Sequence, residues 1–222
     1  MIPWELLDSA QMPGSSGEIR LYCRGKEFSI RVNRCELMNS RSHGSEDALA
    51  ERAIALIVDR PRPRILIGGL GMGYTTSAAL RRLGAGSQVV VAELVPAVVK
   101  WNRGPLADLA GRPLQDKRVA VLEVDVAAIL RTERRTFDAI LLDVDNGPDG
   151  LSREGNDWLY SQTGLDAAHA ALTNKGVLAI WSAGPDRAFA KRLARSGFEV
   201  NEVCVRARGA GGGKHTIWLA VS

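Results

Sequence analysis

The chain has 222 residues, 45% hydrophobic and 24% charged, a balance that excludes disordered and fibrous classes and allows one domain with an appendage. Its 29 Lys and Arg against 25 Asp and Glu leave a net charge of +4, too mild and too dispersed to imply a nucleic-acid partner. The three cysteines form no C-x-x-C pair, no apolar run approaches the roughly 18 residues that span a bilayer, and neither disulfide framework, zinc site nor membrane partner is expected.

The first residues contain Glu5 and Asp8 and no apolar core of signal-peptide type, so a reduced, cytoplasmic location is expected. Residues 19–32 alternate around Gly25-Lys26, setting Cys23 opposite Phe28, Leu21 opposite Ile30 and Ile19 opposite Val32. That pattern predicts a β-hairpin with one apolar face. Because an isolated hairpin is marginal in water, it must pack on the main domain or on a second subunit. Residues 1–40 are therefore read as a hairpin appendage and 41–222 as the main domain. A helix is predicted from Ser45, which can cap it, with Glu46 and Asp47 at its positive end and Pro61 and Pro63 as the stop.

From Arg64 onward apolar runs alternate with helical stretches. Strands are predicted at 65–67, 89–91, 119–122, 139–142 and 177–180, and helices at 75–83, 96–101, 126–131, 165–172 and 187–195. The strands are almost wholly apolar, as a parallel sheet covered by helices on both faces requires. The fold class is α/β, a doubly wound, mostly parallel Rossmann-like sheet. The last runs, 200–205 and 216–221, have only a glycine-rich loop between them and are expected to pair antiparallel at the sheet edge.

The chemistry gathers at strand ends. The 65–67 strand runs into Gly68, Gly69, Leu70, Gly71, Met72 and Gly73, where bare backbone can turn tightly and approach a ligand closely. The G-x-G-x-G spacing differs from a dinucleotide fingerprint, which needs glycine at Tyr74, and no P-loop Gly-Lys-Ser/Thr follows. Glu93 ends the next strand about 20 residues on, the offset of a ribose-binding carboxylate. Asp125, with Val126 beside it, suits an adenine amino group or the cap of the next helix equally well. After the fourth strand, Asp143, Asp145, Asn146 and Asp149 crowd one loop, where carboxylates can hold a cationic amine and one can take its proton. Asn146 and Asp149 also suit turn geometry, and no metal is expected. Trp158 and Tyr160 suit either an acceptor-pocket wall or core packing.

The order of GGLGMG, Glu93, the Val124-Asp125 step and the loop D-V-D-N-G-P from Asp143 resembles the spermidine synthases, aminopropyltransferases that share the class I S-adenosylmethionine methyltransferase fold. The resemblance spans roughly residues 18–222. It implies a fold with the last strand antiparallel and a small N-terminal β element, an S-adenosylmethionine or decarboxylated S-adenosylmethionine co-substrate, a small-molecule amine acceptor and a homodimer. By it Gly68, Gly69, Gly71, Gly73, Glu93, Asp125 and Val126 bind the nucleoside, with Glu93 on ribose and Asp125 on adenine. Asp143, Asp145 and Asn146 form the catalytic set, with Asp143 on the attacking amine, and Glu46 lies toward the two substrates. Three positions differ from the family pattern. Gly71 stands where an acid grips the aminopropyl ammonium, Asn146 where a second aspartate stands, and a glycine run before Lys214 and His215 where a tyrosine is usual. The expected activity is transfer of an aminopropyl or related alkyl group to an amine; methyl transfer to an unknown acceptor, a non-catalytic nucleoside-binding homologue and an NAD-dependent oxidoreductase are the alternatives.

Overall fold

In the computed structural model, which describes residues 2–14, 16–33, 35–144, 157–208 and 211–222, the described strands form two sheets. The first is four-stranded and antiparallel, in the order β1 (Glu5–Gln11), β2 (Glu18–Arg24), β3 (Glu27–Val32), β4 (Cys35–Asn39). The predicted hairpin is its centre, with Ile19, Leu21 and Cys23 facing Val32, Ile30 and Phe28. The flanking strands went unpredicted because both break the period-two pattern. β1 shifts register between Leu6 and Asp8, and β4 pairs Met38 with Ile30 but Glu36 with Arg31, leaving Leu37 in a bulge.

Helix α1 (Gly44–Ala55) starts ahead of the predicted cap. His43 occupies the N-cap position and its carbonyl accepts from the Asp47 N–H at 3.0 Å, while Ser45 donates to Glu46 instead. The His43 ring stacks on Tyr74 with centroids 4.1 Å apart, which anchors that first turn.

The rest of the chain alternates as predicted: β5 (Arg64–Gly68), α2 (Tyr74–Arg82), β6 (Gln88–Ala92), α3 (Pro96–Arg103), β7 (Val119–Leu122), α4 (Val126–Thr132), β8 (Phe137–Leu142), α5 (Asp157–Tyr160), α6 (Gln162–Ala171), β9 (Leu172–Ser182), α7 (Arg187–Arg195), β10 (Glu199–Arg208) and β11 (Gly211–Val221). The seven-stranded sheet runs β10-β11-β9-β8-β5-β6-β7. The last strand, β11, is antiparallel to both neighbours and slots between β9 and β10, so β10 forms the edge. The nearly continuous apolar runs have a direct cause. Ile65, Ile67, Ala139 and Leu141 enter one core layer, and Leu66, Ile140 and Leu142 enter the other. Helices α1–α3 cover the first layer and α4–α7 the second.

The small sheet shares the first layer. Met12, Ile19, Leu21 and Ile30 join one buried cluster with Leu49, Ile65 and Met72. Asp8 on β1 also accepts from Trp101 Nε1 at 3.0 Å and Lys100 Nζ at 2.9 Å, tying the sheet to α3. β5 has β6 on one side and β8 on the other, the switch in strand order beyond which α/β sheets open a crevice.

Candidate active site

The crevice is present, and the small sheet roofs it. Its floor is Gly69, Gly71, Ala92, Glu93, Asp125, Val126 and Asp143 at the strand ends, and Met12, Ile19, Ile30, Leu37 and Met38 face them from the sheet. It encloses about 780 Å³, mouth included. The bulge in β4 lets the consecutive Leu37 and Met38 both reach it.

The glycine loop needs its glycines. Gly69 has φ +87°, and a Cβ there would overlap the Asp143 carbonyl. Gly69→Ala is therefore expected to cost about 2 kcal/mol or more, read as a drop in thermal midpoint; an unchanged midpoint would contradict this geometry. Gly71 has φ +52°, and a Cβ there would lie 2.7 Å from Met38 Cε. Asn102, 3% exposed, fixes this loop by donating from Nδ2 to the Gly71 carbonyl at 2.8 Å. A Cβ at Gly68 would come within 3.0 Å of Leu142 Cδ2, so this residue serves packing under the loop.

Glu93 is 8% exposed. Its Oε2 accepts from the Leu70 N–H at 2.9 Å and its Oε1 from the Val95 N–H at 2.8 Å. Burial pushes its pKa up, against the pull of these backbone donors. The Gly71 and Leu94 N–H groups also act on this carboxylate, which is thereby fixed at the end of β6 on the lining of the crevice. Asp125 caps α4, its Oδ1 accepting from the Ala127 N–H at 2.8 Å, and it also lines the crevice. Capping the helix and lining the crevice thus coincide at this one residue.

Asp143 follows β8 and accepts from Thr75 Oγ1 through Oδ2 at 2.5 Å. Burial, and then the negative charge of Glu46, push its carboxyl up to about 7, against the Thr75 bond. Asp145, Asn146 and Asp149 lie outside the described residues. Glu46, in the first turn of α1, lines a smaller cavity with Gly71, Thr75 and Asp143.

Trp158 and Tyr160 are placed elsewhere than a substrate wall. Neither lines the described crevice. Trp158 packs against the second core layer under the Arg131 guanidinium, 4.1 Å from its ring centroid. Tyr160 is buried in that layer, edge-on to Phe189, and donates to the Val144 carbonyl at 3.2 Å. Their apolar bulk is used by the helices behind the sheet. The crevice is lined instead by Met38, and Thr75 and Asn102 brace Asp143 and the Gly71 carbonyl on its wall, three residues that sequence reasoning missed.

The titratable side chains on the described lining of the crevice, Glu93, Asp125 and Asp143, are all acidic. Such a wall favours neutral or cationic guests and repels phosphates, which speaks against a dinucleotide.

No family model matches the chain. Polyamine aminopropyltransferase 1 of Streptomyces coelicolor is 30% identical over 150 residues, a match covering 64% of this chain and 27% of that protein. The chain thus spans about a quarter of the curated relative it matches. The crystal structure of spermidine synthase from Thermotoga maritima superposes with a TM-score of 0.77 at 17% identity, covering 97% of this chain and 72% of that one. A methyltransferase from Burkholderia thailandensis, solved with S-adenosylhomocysteine, gives 0.55 at 21% identity, covering 80% of this chain and 78% of that one. The chain resembles polyamine aminopropyltransferases in sequence and spermidine synthases in fold. The likeness to the Thermotoga spermidine synthase covers the small N-terminal sheet as well as the large one. Among the described residues, no helix is long and apolar enough to cross a membrane.

Proposed function

We propose that the chain is a transferase that binds an adenosyl sulfonium donor in the crevice and moves an aminopropyl or related alkyl group to an amine. The observation that carries this reading is Glu93, held by backbone N–H groups of the glycine loop and the following turn on the lining of the crevice. The acidic lining suits a cationic sulfonium and offers no described cation to an amino-acid carboxylate. That favours the decarboxylated donor over S-adenosylmethionine itself.

The sulfonium is its own leaving group, so the protein must align nitrogen, carbon and sulfur and free the amine of a proton. A nitrogen–carbon bond forms as the carbon–sulfur bond breaks, and the electron pair stays on sulfur as a thioether. Asp143 takes the amine proton: a carboxyl near 7 is about half ionised at neutral pH, the range that suits a general base. Gly68, Gly69, Gly71, Gly73, Asp125 and Val126 complete the nucleoside site in this reading. A cytoplasmic homodimer belongs to it too, supported by the exposed Ile2, Leu6 and Leu7 at the N-terminal end.

Thermal shift tests the class. Decarboxylated S-adenosylmethionine and methylthioadenosine should each stabilise the protein, by about 2.7 kcal/mol at a hundred times Kd. Stabilisation by NAD alone would overturn the reading, and a clear preference for S-adenosylmethionine would move it to methyl transfer.

A further inference from the structure

We propose that the free edge of β10 docks a second copy of this chain, strand against strand about a two-fold axis at Cys204, a role that rests on the homodimer reading and gives it a face on the large sheet.

Strand β10 is ten residues long and pairs on one side with β11. Among the described residues, no strand pairs with its other side. Its two faces are spoken for: Val203 and Val205 join the first core layer, and Val200 packs against the second. What is left over is the outer row of backbone N–H and C=O groups, which an edge strand presents to any strand that fits. Chains that keep such an edge single usually interrupt it with proline, lysine or a bulge. From Glu199 to Arg206 this strand has none of the three, and its register with β11 is unbroken.

Charge names the occupant. Glu199 and Glu202 stand in the first half of the strand and Arg206 in the second, all exposed. Glu202 and Arg206 lie about 13 Å apart along the strand, too far to meet each other. Among the described residues, neither takes part in an ion pair. A two-fold axis perpendicular to the sheet lays a second β10 antiparallel beside the first and keeps each face on its own side. With the axis at Cys204, which is exposed, Glu202 stands opposite the partner's Arg206 and Arg206 opposite the partner's Glu202. Val203 then stands opposite the partner's Val205. Opposite charges placed directly across two strands attract, and like charges repel. Moving the axis to Val203 sets Glu202 opposite the partner's Cys204 and Arg206 opposite the partner's Val200, with no charge pair. Moving it to Val205 carries the partner onto the register shift between Arg206 and Arg208. The strand is thus its own complement in one register.

Sedimentation velocity over a concentration series compares the wild type with Glu202→Arg, Arg206→Glu and the double variant, with circular dichroism to report that all four fold. Each single reversal puts two like-charge pairs across the axis, so the dimer dissociation constant should rise at least about tenfold. The double variant restores opposite charges and should return to within about threefold of wild type. Directly opposite Cα atoms of an antiparallel pair lie about 4.5–5.5 Å apart, within disulfide reach. Oxidation with diamide should therefore trap a covalent dimer of the wild type and none of Cys204→Ser. A wild type that stays monomeric overturns the homodimer reading and this interface together. A dimer that both single reversals leave at wild-type strength, or a crosslink that survives Cys204→Ser, overturns the interface alone.

Discussion

Asp143→Asn is expected to slow turnover by about 10²–10⁴-fold, the usual contribution of a positioned general base, with nucleoside binding changed less than about threefold. Asparagine keeps the shape and can still meet Thr75, which donates to Oδ2 in the native chain. It cannot accept the amine proton. Wild-type kcat/KM should rise as pH passes through about 7, where Asp143 ionises, and the variant should lose that limb. The sign of the stability effect is also fixed. The carboxyl lies at about 7 in the folded chain against an ordinary aspartate value of 3.8, so the native state holds the proton more tightly than the unfolded one. This residue's stabilising contribution is whole below pH 3.8 and is lost as pH rises to about 7. The slope approaches about 1.4 kcal/mol per pH unit within that window. Denaturation of both proteins across that range should show the variant gaining on the wild type with rising pH. Full activity in Asp143→Asn would strike this residue from the mechanism.

Glu93→Ala is expected to weaken methylthioadenosine binding by about 10²–10⁴-fold, since two hydroxyl bonds to a charged acceptor contribute about 1.5–3 kcal/mol each. The substitution also leaves the Leu70 and Val95 N–H groups without their present acceptor, so some loss of stability should accompany it. Glu93→Gln separates the two effects, because it keeps an oxygen for one of those donors. Calorimetry on both variants decides. Binding by Glu93→Ala within threefold of wild type would mean that ribose sits elsewhere.

Much of this architecture was legible because each β-strand feeds two apolar layers and reads as an unbroken run, and because the hairpin at Gly25-Lys26 has a strict alternation. Glu93 and Asp143 stood out for the same reason: an acid directly after an apolar strand lies at the carboxyl edge of the sheet. Other parts carried no such mark. Met38 reaches the crevice through a bulge, which sequence periodicity does not announce. Asn102 looks like an ordinary polar residue of α3 until the loop it braces is in place. Thr75 similarly reads as a plain first-turn residue, although it is the hydroxyl that meets Asp143. Trp158 and Tyr160 misled for the opposite reason: aromatic residues soon after an acidic loop suit a pocket wall and a helix interior equally, and tertiary packing chose the interior.

Met12, Ile19 and Ile30 are at once ceiling of the crevice and members of the buried cluster beneath it. Lifting that ceiling as a hinged plate would wet oily surface, at roughly 25 cal/mol for every Å² exposed. The small sheet is therefore a fixed vault, with Leu37 and Met38 in its lining and the 38%-exposed Val124 across from them in the lining of the same crevice.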